Sequence, residues 1–263
     1  MNVITFPGLG LEFNINQEAF TIGNFSVYWY AIIMMTAFLV AIIIAKIKDG
    51  QFGIKFSDCL DLCIILIPLT IIFARIYYVL FDLKYFLNDP LRIFNLRSGG
   101  LAIYGGIIGG VISCLIFCKR KKINFIDLLD FIAPLLSLGQ SIGRWGNFIN
   151  KEAYGTETTL PWRMGITEGT KYIEVHPTFL YEAISTLIIF VVLTIVSKKR
   201  KFRGQITYLY LMMYSFARAI IEGLRTDSLM LGPLRVSQIL SIIIFIFAAF
   251  MYARSVYKNM SKK

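Results

Sequence analysis

The residues best placed to do chemistry sit in one short stretch, Gly143-Arg144-Trp145-Gly146-Asn147-Phe148-Ile149-Asn150-Lys151-Glu152-Ala153-Tyr154-Gly155. A guanidinium, two amides and a carboxylate follow one another where an apolar run ends. Guanidinium donors match the geometry of phosphate oxygens, so this set suits a phosphate-bearing ligand. An Arg–Glu pair that merely ties down a loop fits the same residues equally well. Gly146 and Gly155 allow close backbone approach or a tight turn.

A second cluster comprises Tyr214, Arg218, Glu222 and Arg225, at spacings of four, four and three. On a helix these share one face, and Arg218 and Glu222 are placed to pair. A polar face on an apolar span must point into protein or a wet cavity. Tyr104 interrupts the glycine-rich run from Ser98 to Gly110. There Gly105/Gly109 and Gly106/Gly110 have the spacing that lets helix backbones approach. No Gly-Lys-Ser/Thr follows, so this is not a soluble phosphate loop.

Histidine-based chemistry has little material. His176 is the sole histidine, and no nucleophile is paired to it. Cys59, Cys63, Cys114 and Cys118 lie in or beside apolar runs and read as small hydrophobes rather than metal ligands. No metal and no cofactor are expected.

The elements that must position these groups are membrane spans. Fifty-seven per cent of the 263 residues are hydrophobic, 16 per cent are charged, and mean hydropathy is +0.67. Candidate spans run over about 25–45, 59–81, 101–118, 125–142, 178–196, 205–223 and 236–257. The fourth holds Asp127, Asp130, Pro134 and Gln140 and must face protein or water. The expected fold is all-α, a polytopic membrane protein of about seven helices. The chain is expected to form a single domain over 1–263, with long outer-side segments at about 82–100 and 143–176.

Loop charge sets an orientation. With about seven crossings, Lys46–Lys55, Lys119–Lys122, Lys198–Arg203 and the basic tail Arg254, Lys258, Lys262 and Lys263 fall on one face. Residues 1–24 carry no Lys or Arg and lack the basic start of a signal peptide. The positive-inside rule then puts the N-terminus outside and the C-terminus in the cytoplasm. The net charge of +11 is accounted for by these loops, and nucleic acid is not an expected partner.

The stretch Gly143–Gly155 resembles the signature of the prolipoprotein diacylglyceryl transferases, G-R-x-G-N-F-x-N-x-E-x-x-G, at every fixed position. Trp29-Tyr30, Arg75–Phe81, Gly99–Gly110, His176-Pro177-Thr178 with Leu180-Tyr181-Glu182, and Arg218–Arg225 also look like that family, in matching order along nearly the whole chain. The resemblance implies a bacterial cytoplasmic-membrane enzyme with its active site toward the outer face. It would move the diacylglyceryl group of phosphatidylglycerol to the lipobox cysteine of a prolipoprotein signal peptide, forming a thioether and releasing glycerol phosphate.

The resemblance makes Arg144 and Arg218 the essential cations. Tyr30, Asn147, Asn150, Glu152, Gly155, Tyr214, Glu222 and Arg225 complete the expected substrate site. Many family members carry His at the position of Tyr104, which leaves the general base open with Tyr104 as the candidate here. Membrane lipids are the other expected partners, and a monomer is the expected state. A small-anion channel or transporter, or another polytopic lipid-modifying enzyme, is the alternative reading. A transporter would place its charges near mid-membrane and open to both faces.

Overall fold

A computed structural model describes residues 2–23, 25–95 and 99–261. Ser98, within the glycine-rich run, and Lys262 and Lys263, in the basic tail, lie outside the described residues. The chain forms two compact units, Met1–Ile44 with Ile132–Lys263, and Ala45–Phe131.

Helices dominate: α1 (Trp29–Ile47), α2 (Phe56–Phe81), the short α3 (Leu83–Asn88), α4 (Ile103–Lys121), α5 (Phe125–Asn150), α6 (Thr178–Ser197), α7 (Gln205–Glu222) and α8 (Val236–Met260). Six of them (α1, α2, α4, α5, α6 and α8) are long and apolar enough to cross a membrane. This is a polytopic membrane protein. Of the expected spans, α7 alone falls short by composition, because Gln205, Arg218 and Glu222 interrupt its apolar sequence.

The expectation of an all-α chain omits the strands. β1 (Asn2–Phe6), β2 (Leu11–Ile15), β5 (Met164–Glu168) and β6 (Lys171–Val175) form an antiparallel sheet in the order β2-β1-β5-β6. β3 (Glu18–Ile22) and β4 (Phe25–Tyr28) form a hairpin, as do the two-residue strands β7 (Met230–Leu231) and β8 (Leu234–Arg235). Residues 25–28, expected to begin the first span, are therefore strand, and the helix starts at Trp29.

The four-stranded sheet seats the end of α5. Its register pairs Ile4 with Ile166 and Ile166 with Ile173. Ile4, Phe6, Met164, Ile166 and Val175 turn inward and pack with Phe148 of α5 and Phe179 of α6. The Phe148 and Phe179 rings lie 4.7 Å apart, so the sheet clamps both helix ends through one apolar cluster. α5 and α6 are further joined inside the apolar layer, where Ser137 donates to the Thr186 carbonyl at 2.7 Å and Ser141 to the Ala183 carbonyl at 2.8 Å.

The second unit is built on α2 and α4. A Cβ on Gly105 would collide with the Phe73 carbonyl and Tyr77, and one on Gly109 would lie 2.7 Å from the Leu69 carbonyl. Gly106 and Gly110 meet only ordinary contacts. The Gly105/Gly109 pair is thus the packing seam.

Arg75, buried on α2, turns its guanidinium onto the backbone of the 82–100 segment. Nε donates to Ile93 O at 2.8 Å, Nη1 to Gly99 O and Gly100 O at 2.9 Å, and Nη2 to Arg92 O at 2.5 Å and Asn95 O at 3.2 Å. All five guanidinium donors are thereby spent on carbonyls. Phe86 of α3 covers the cation, with its ring centroid 5.1 Å from the guanidinium carbon.

Candidate functional site

α5 does not end where its apolar run ends. Residues 143–150, expected to open a long loop, are its last two turns. Three consequences fix the site. Ser137, Ser141 and Arg144 fall at i, i+4 and i+7, so the face that bonds to α6 also carries Arg144. Asn147 lies one turn further and accepts from Arg144 Nη1 at 3.0 Å. Phe148, on the neighbouring face, is held under the sheet.

The helix then closes in a Schellman motif. Lys151 takes a positive φ of 54°, its N–H bonds Phe148 O at 3.1 Å, and Glu152 N–H bonds Asn147 O at 3.0 Å. A lysine rather than glycine in this conformation costs about 1 kcal/mol or more. The fold-back returns the Glu152 carboxylate to the helix, where it accepts from Asn147 Nδ2 at 2.7 Å and, more loosely, from Asn150 Nδ2 at 3.5 Å. The spacing of Arg144, Asn147, Asn150 and Glu152 is therefore that of a helix end with its capping turn.

Gly155 explains the last fixed position. A Cβ there would stand 2.7 Å from His176 Cβ and 2.9 Å from Leu224 O. Its strand-like bridge to Arg225, with Thr156 N–H on Leu224 O at 2.7 Å, ties the tail of α5 to the chain just beyond α7. Gly146 is crowded by the Tyr30 ring, with its would-be Cβ 2.5 Å from Tyr30 Cδ2. Tyr30 is thus placed on the Gly146 face of α5.

The centre of the cluster is Glu182, on α6 one turn after Thr178 and 3 % exposed. Arg144 pairs with its Oε2 from α5. Arg218 donates to its Oε1 at 2.6 Å from α7, and Arg225 Nη1 reaches the same oxygen at 3.2 Å. Arg218 also pairs with Glu222, one turn along α7, at 2.6 Å. Arg225 lies beyond the end of the helix, yet it still joins the same carboxylate. Its Nε and Nη2 grip Asp227 in a two-point pair at 2.8 and 2.6 Å. The Arg225 bond holds the Asp227 carboxyl below its ordinary range, although partial burial works the other way.

Tyr214 stands one turn before Arg218 on α7, and its hydroxyl lies within reach of Arg144. Its ring stacks with Tyr210, whose hydroxyl donates to Gln140 Oε1 of α5 at 3.0 Å. Arg235 plugs the C-terminus of α7 from the start of α8, donating to the carbonyls of Glu222 and Arg225 and to Ser228 at 3.0 Å.

Of the residues expected from sequence, Arg144, Asn147, Asn150, Glu152, Gly155, Tyr214, Arg218, Glu222 and Arg225 are brought into one connected set of contacts. Tyr104 belongs to the other unit, in the first turn of α4, half exposed and 6.1 Å ring to ring from Tyr77. Glu182, Asp227 and Arg235 were not expected. The signal available for Glu182 was its place one turn after His176-Pro177-Thr178 in an otherwise apolar span.

Around the rim, Trp162 Nε1 donates to the Tyr181 hydroxyl at 2.8 Å, which stands 3.2 Å from His176 Nδ1. Burial pushes His176 below its ordinary pKa. Tyr154 is pushed up to about 12 by burial and by its 2.7 Å bond to Glu168. Among the described residues, no group of three or more His, Cys, Asp or Glu is arranged to hold a metal ion.

Apolar helices around half-buried arginines paired with the buried carboxylates of Glu182 and Glu222 define a polytopic membrane protein with a site suited to an anionic group. Residues 17–254 match the model of the prolipoprotein diacylglyceryl transferase family. A phosphatidylglycerol–prolipoprotein diacylglyceryl transferase of Finegoldia magna is 46 % identical over 233 residues, covering 88 % of this chain and 92 % of that protein. One from Clostridioides difficile is 47 % identical over 229 residues, covering 87 % and 91 %. One from Bacillus cereus is 43 % identical over 245 residues, covering 89 % and 90 %. The chain belongs to the prolipoprotein diacylglyceryl transferase family.

Proposed function

We propose that this chain transfers the diacylglyceryl group of phosphatidylglycerol to the lipobox cysteine thiol of prolipoproteins, forming a thioether and releasing glycerol phosphate. The observation that carries the site assignment is the meeting of Arg144 and Arg218, from different helices, on the two oxygens of one carboxylate. Guanidinium groups so spaced also span two oxygens of one phosphate. The names of the related enzymes supply the donor lipid and the acceptor protein.

The chemistry needs little more from the protein. The acceptor thiol loses its proton to solvent or to the departing phosphate. The thiolate sulfur attacks the glycerol carbon that bears the phosphate ester, the C–O bond breaks, and its electron pair leaves on the phosphate oxygen. Arg144 and Arg218 neutralise that oxygen as charge develops and favour the thiolate beside them. Asn147 holds Arg144 and is itself held by Glu152, which Asn150 also bonds; these three contact the headgroup, Tyr214 and Glu222 orient the two arginines, and Arg225 supplies a third cation. Gly155 and Tyr30 shape the walls. Tyr104 is the candidate to help remove the thiol proton, a contribution worth about 10²–10⁴ in rate when a dedicated base is present.

The chain works as one transferase over its whole length, as a monomer in the bacterial cytoplasmic membrane. α7 is the seventh span: its polar residues find partners in Gln140 and Glu182, so its polar face is satisfied by protein rather than lipid. Basic loops gathered on one side of seven crossings support an N-terminus and a site at the outer face. The test supplies purified protein with phosphatidylglycerol and a lipobox peptide. A mass gain of one diacylglyceryl group on the peptide cysteine is expected, and folded protein that leaves the peptide unmodified overturns the reading.

A further inference from the structure

We propose that Glu182 is the counter-charge that limits how tightly the site grips phosphate, and that it returns to the arginines as glycerol phosphate departs. This rests on the reading of Arg144 and Arg218 as the phosphate clamp. Glu182 is a positioning residue that acts through those cations rather than on the substrate.

The ion pairs are not equivalent. Glu222 pairs with Arg218, and Asp227 pairs with Arg225. Glu182 alone is shared by Arg144, Arg218 and Arg225. In these contacts the formal charges balance, with arginines 144, 218 and 225 against Glu182, Glu222 and Asp227. Any phosphate that enters must compete with Glu182 for the same guanidinium groups, because the carboxylate already pairs with both. The backbone that carries Glu182 is anchored, so only its side chain has to move. Its backbone carbonyl accepts from Thr186 at 2.6 Å, and Ser141 bonds the next carbonyl, at Ala183.

Competition matters because the charge on phosphate rises through the reaction. The substrate is a phosphodiester with a single negative charge. The leaving group is a phosphomonoester, which carries about −1.5 to −2 near neutral pH. Without Glu182 the cluster would carry one positive charge in excess and hold that product more tightly than the substrate, and release would then limit turnover. A carboxylate fixed among them offsets the extra attraction and takes back the donors as the product leaves.

The experiment measures competitive inhibition by glycerol phosphate in the transfer assay, using folded, monodisperse wild type, Glu182→Gln, Glu182→Asp and Arg218→Lys. In Glu182→Gln the inhibition constant is expected to fall roughly tenfold with a lower kcat, as one unpaired cation strengthens anion binding. Glu182→Asp keeps the charge and is expected to stay within about threefold of wild type in its inhibition constant. An unchanged or higher inhibition constant in folded Glu182→Gln overturns the proposal, as does failure of both Glu182 variants to fold, which would make the residue purely structural. Loss of inhibition in Arg218→Lys, with wild type inhibited, supports the clamp whatever Glu182 does. Wild type that glycerol phosphate does not inhibit overturns the clamp as well as the role of Glu182.

Discussion

Arg218 donates to Glu182 at 2.6 Å across the α6–α7 boundary, and that bond joins two residues 36 positions apart in the chain. Through it the polar end of α7 is locked to α6, and through the other oxygen of Glu182 to Arg144 of α5. Three helix ends are thus cross-linked by charge where the apolar sequence gives way to polar residues. Removing one partner strands the others, which is costly in a poorly solvated setting.

Arg144→Lys is expected to lose most activity, about a hundredfold or more, because an ammonium cannot span two acceptors as the guanidinium does with Glu182 and Asn147. Steady-state rates on phosphatidylglycerol check this. Activity within a few-fold of wild type would show that one point charge is enough.

Tyr104→Phe is expected to slow transfer by no more than about tenfold, because electrostatic stabilisation by the arginines carries most of the rate. The measurement is kcat with saturating lipid and peptide. Complete loss in a folded variant would assign Tyr104 as an indispensable base.

The two glycine pairs in α4 should respond differently to a methyl group. Gly105→Ala drives a Cβ into the Phe73 backbone and is expected to cost about 1–3 kcal/mol. Gly106→Ala meets Thr70 Cγ2 at an ordinary 3.6 Å and is expected to be neutral or slightly stabilising. Thermal unfolding in one detergent compares them, and equal midpoints would contradict the packing seam.

Much of this architecture is legible in sequence because apolar run length reports spans directly, and α2, α4, α6 and α8 fall within a few residues of their expected bounds. The four-stranded sheet is not legible, because Val3-Ile4-Thr5-Phe6 is a short alternation whose partner Ile166 lies far along the chain. The end of α5 is not legible either, because Gly143, Gly146 and the asparagines resemble a loop, whereas the sheet over Phe148 and the bonds to Glu152 keep it helical. Glu182 is inconspicuous in sequence for a related reason. Its partners come from other helices and from the turn after α7, so nothing beside it in sequence announces its role.

Burial lowers the His176 pKa, which gives stability a defined pH dependence. The unfolded chain binds the proton more readily, so this contribution is complete above about pH 6.5 and is lost as the pH falls from there toward the folded pKa. Thermal midpoints of wild type and His176→Asn, measured from pH 8 to pH 5 in steps of about one unit, should converge at the acid end, with the flatter profile in the variant. Parallel profiles would remove His176 as the source.

The most direct test of the phosphate clamp is the mass of a lipobox peptide after incubation with phosphatidylglycerol and either wild type or folded Arg144→Ala. Wild type should add one diacylglyceryl group to the cysteine, and the variant should add none above background. Near-normal modification by Arg144→Ala would contradict the assignment of the arginine cluster as the site of transfer.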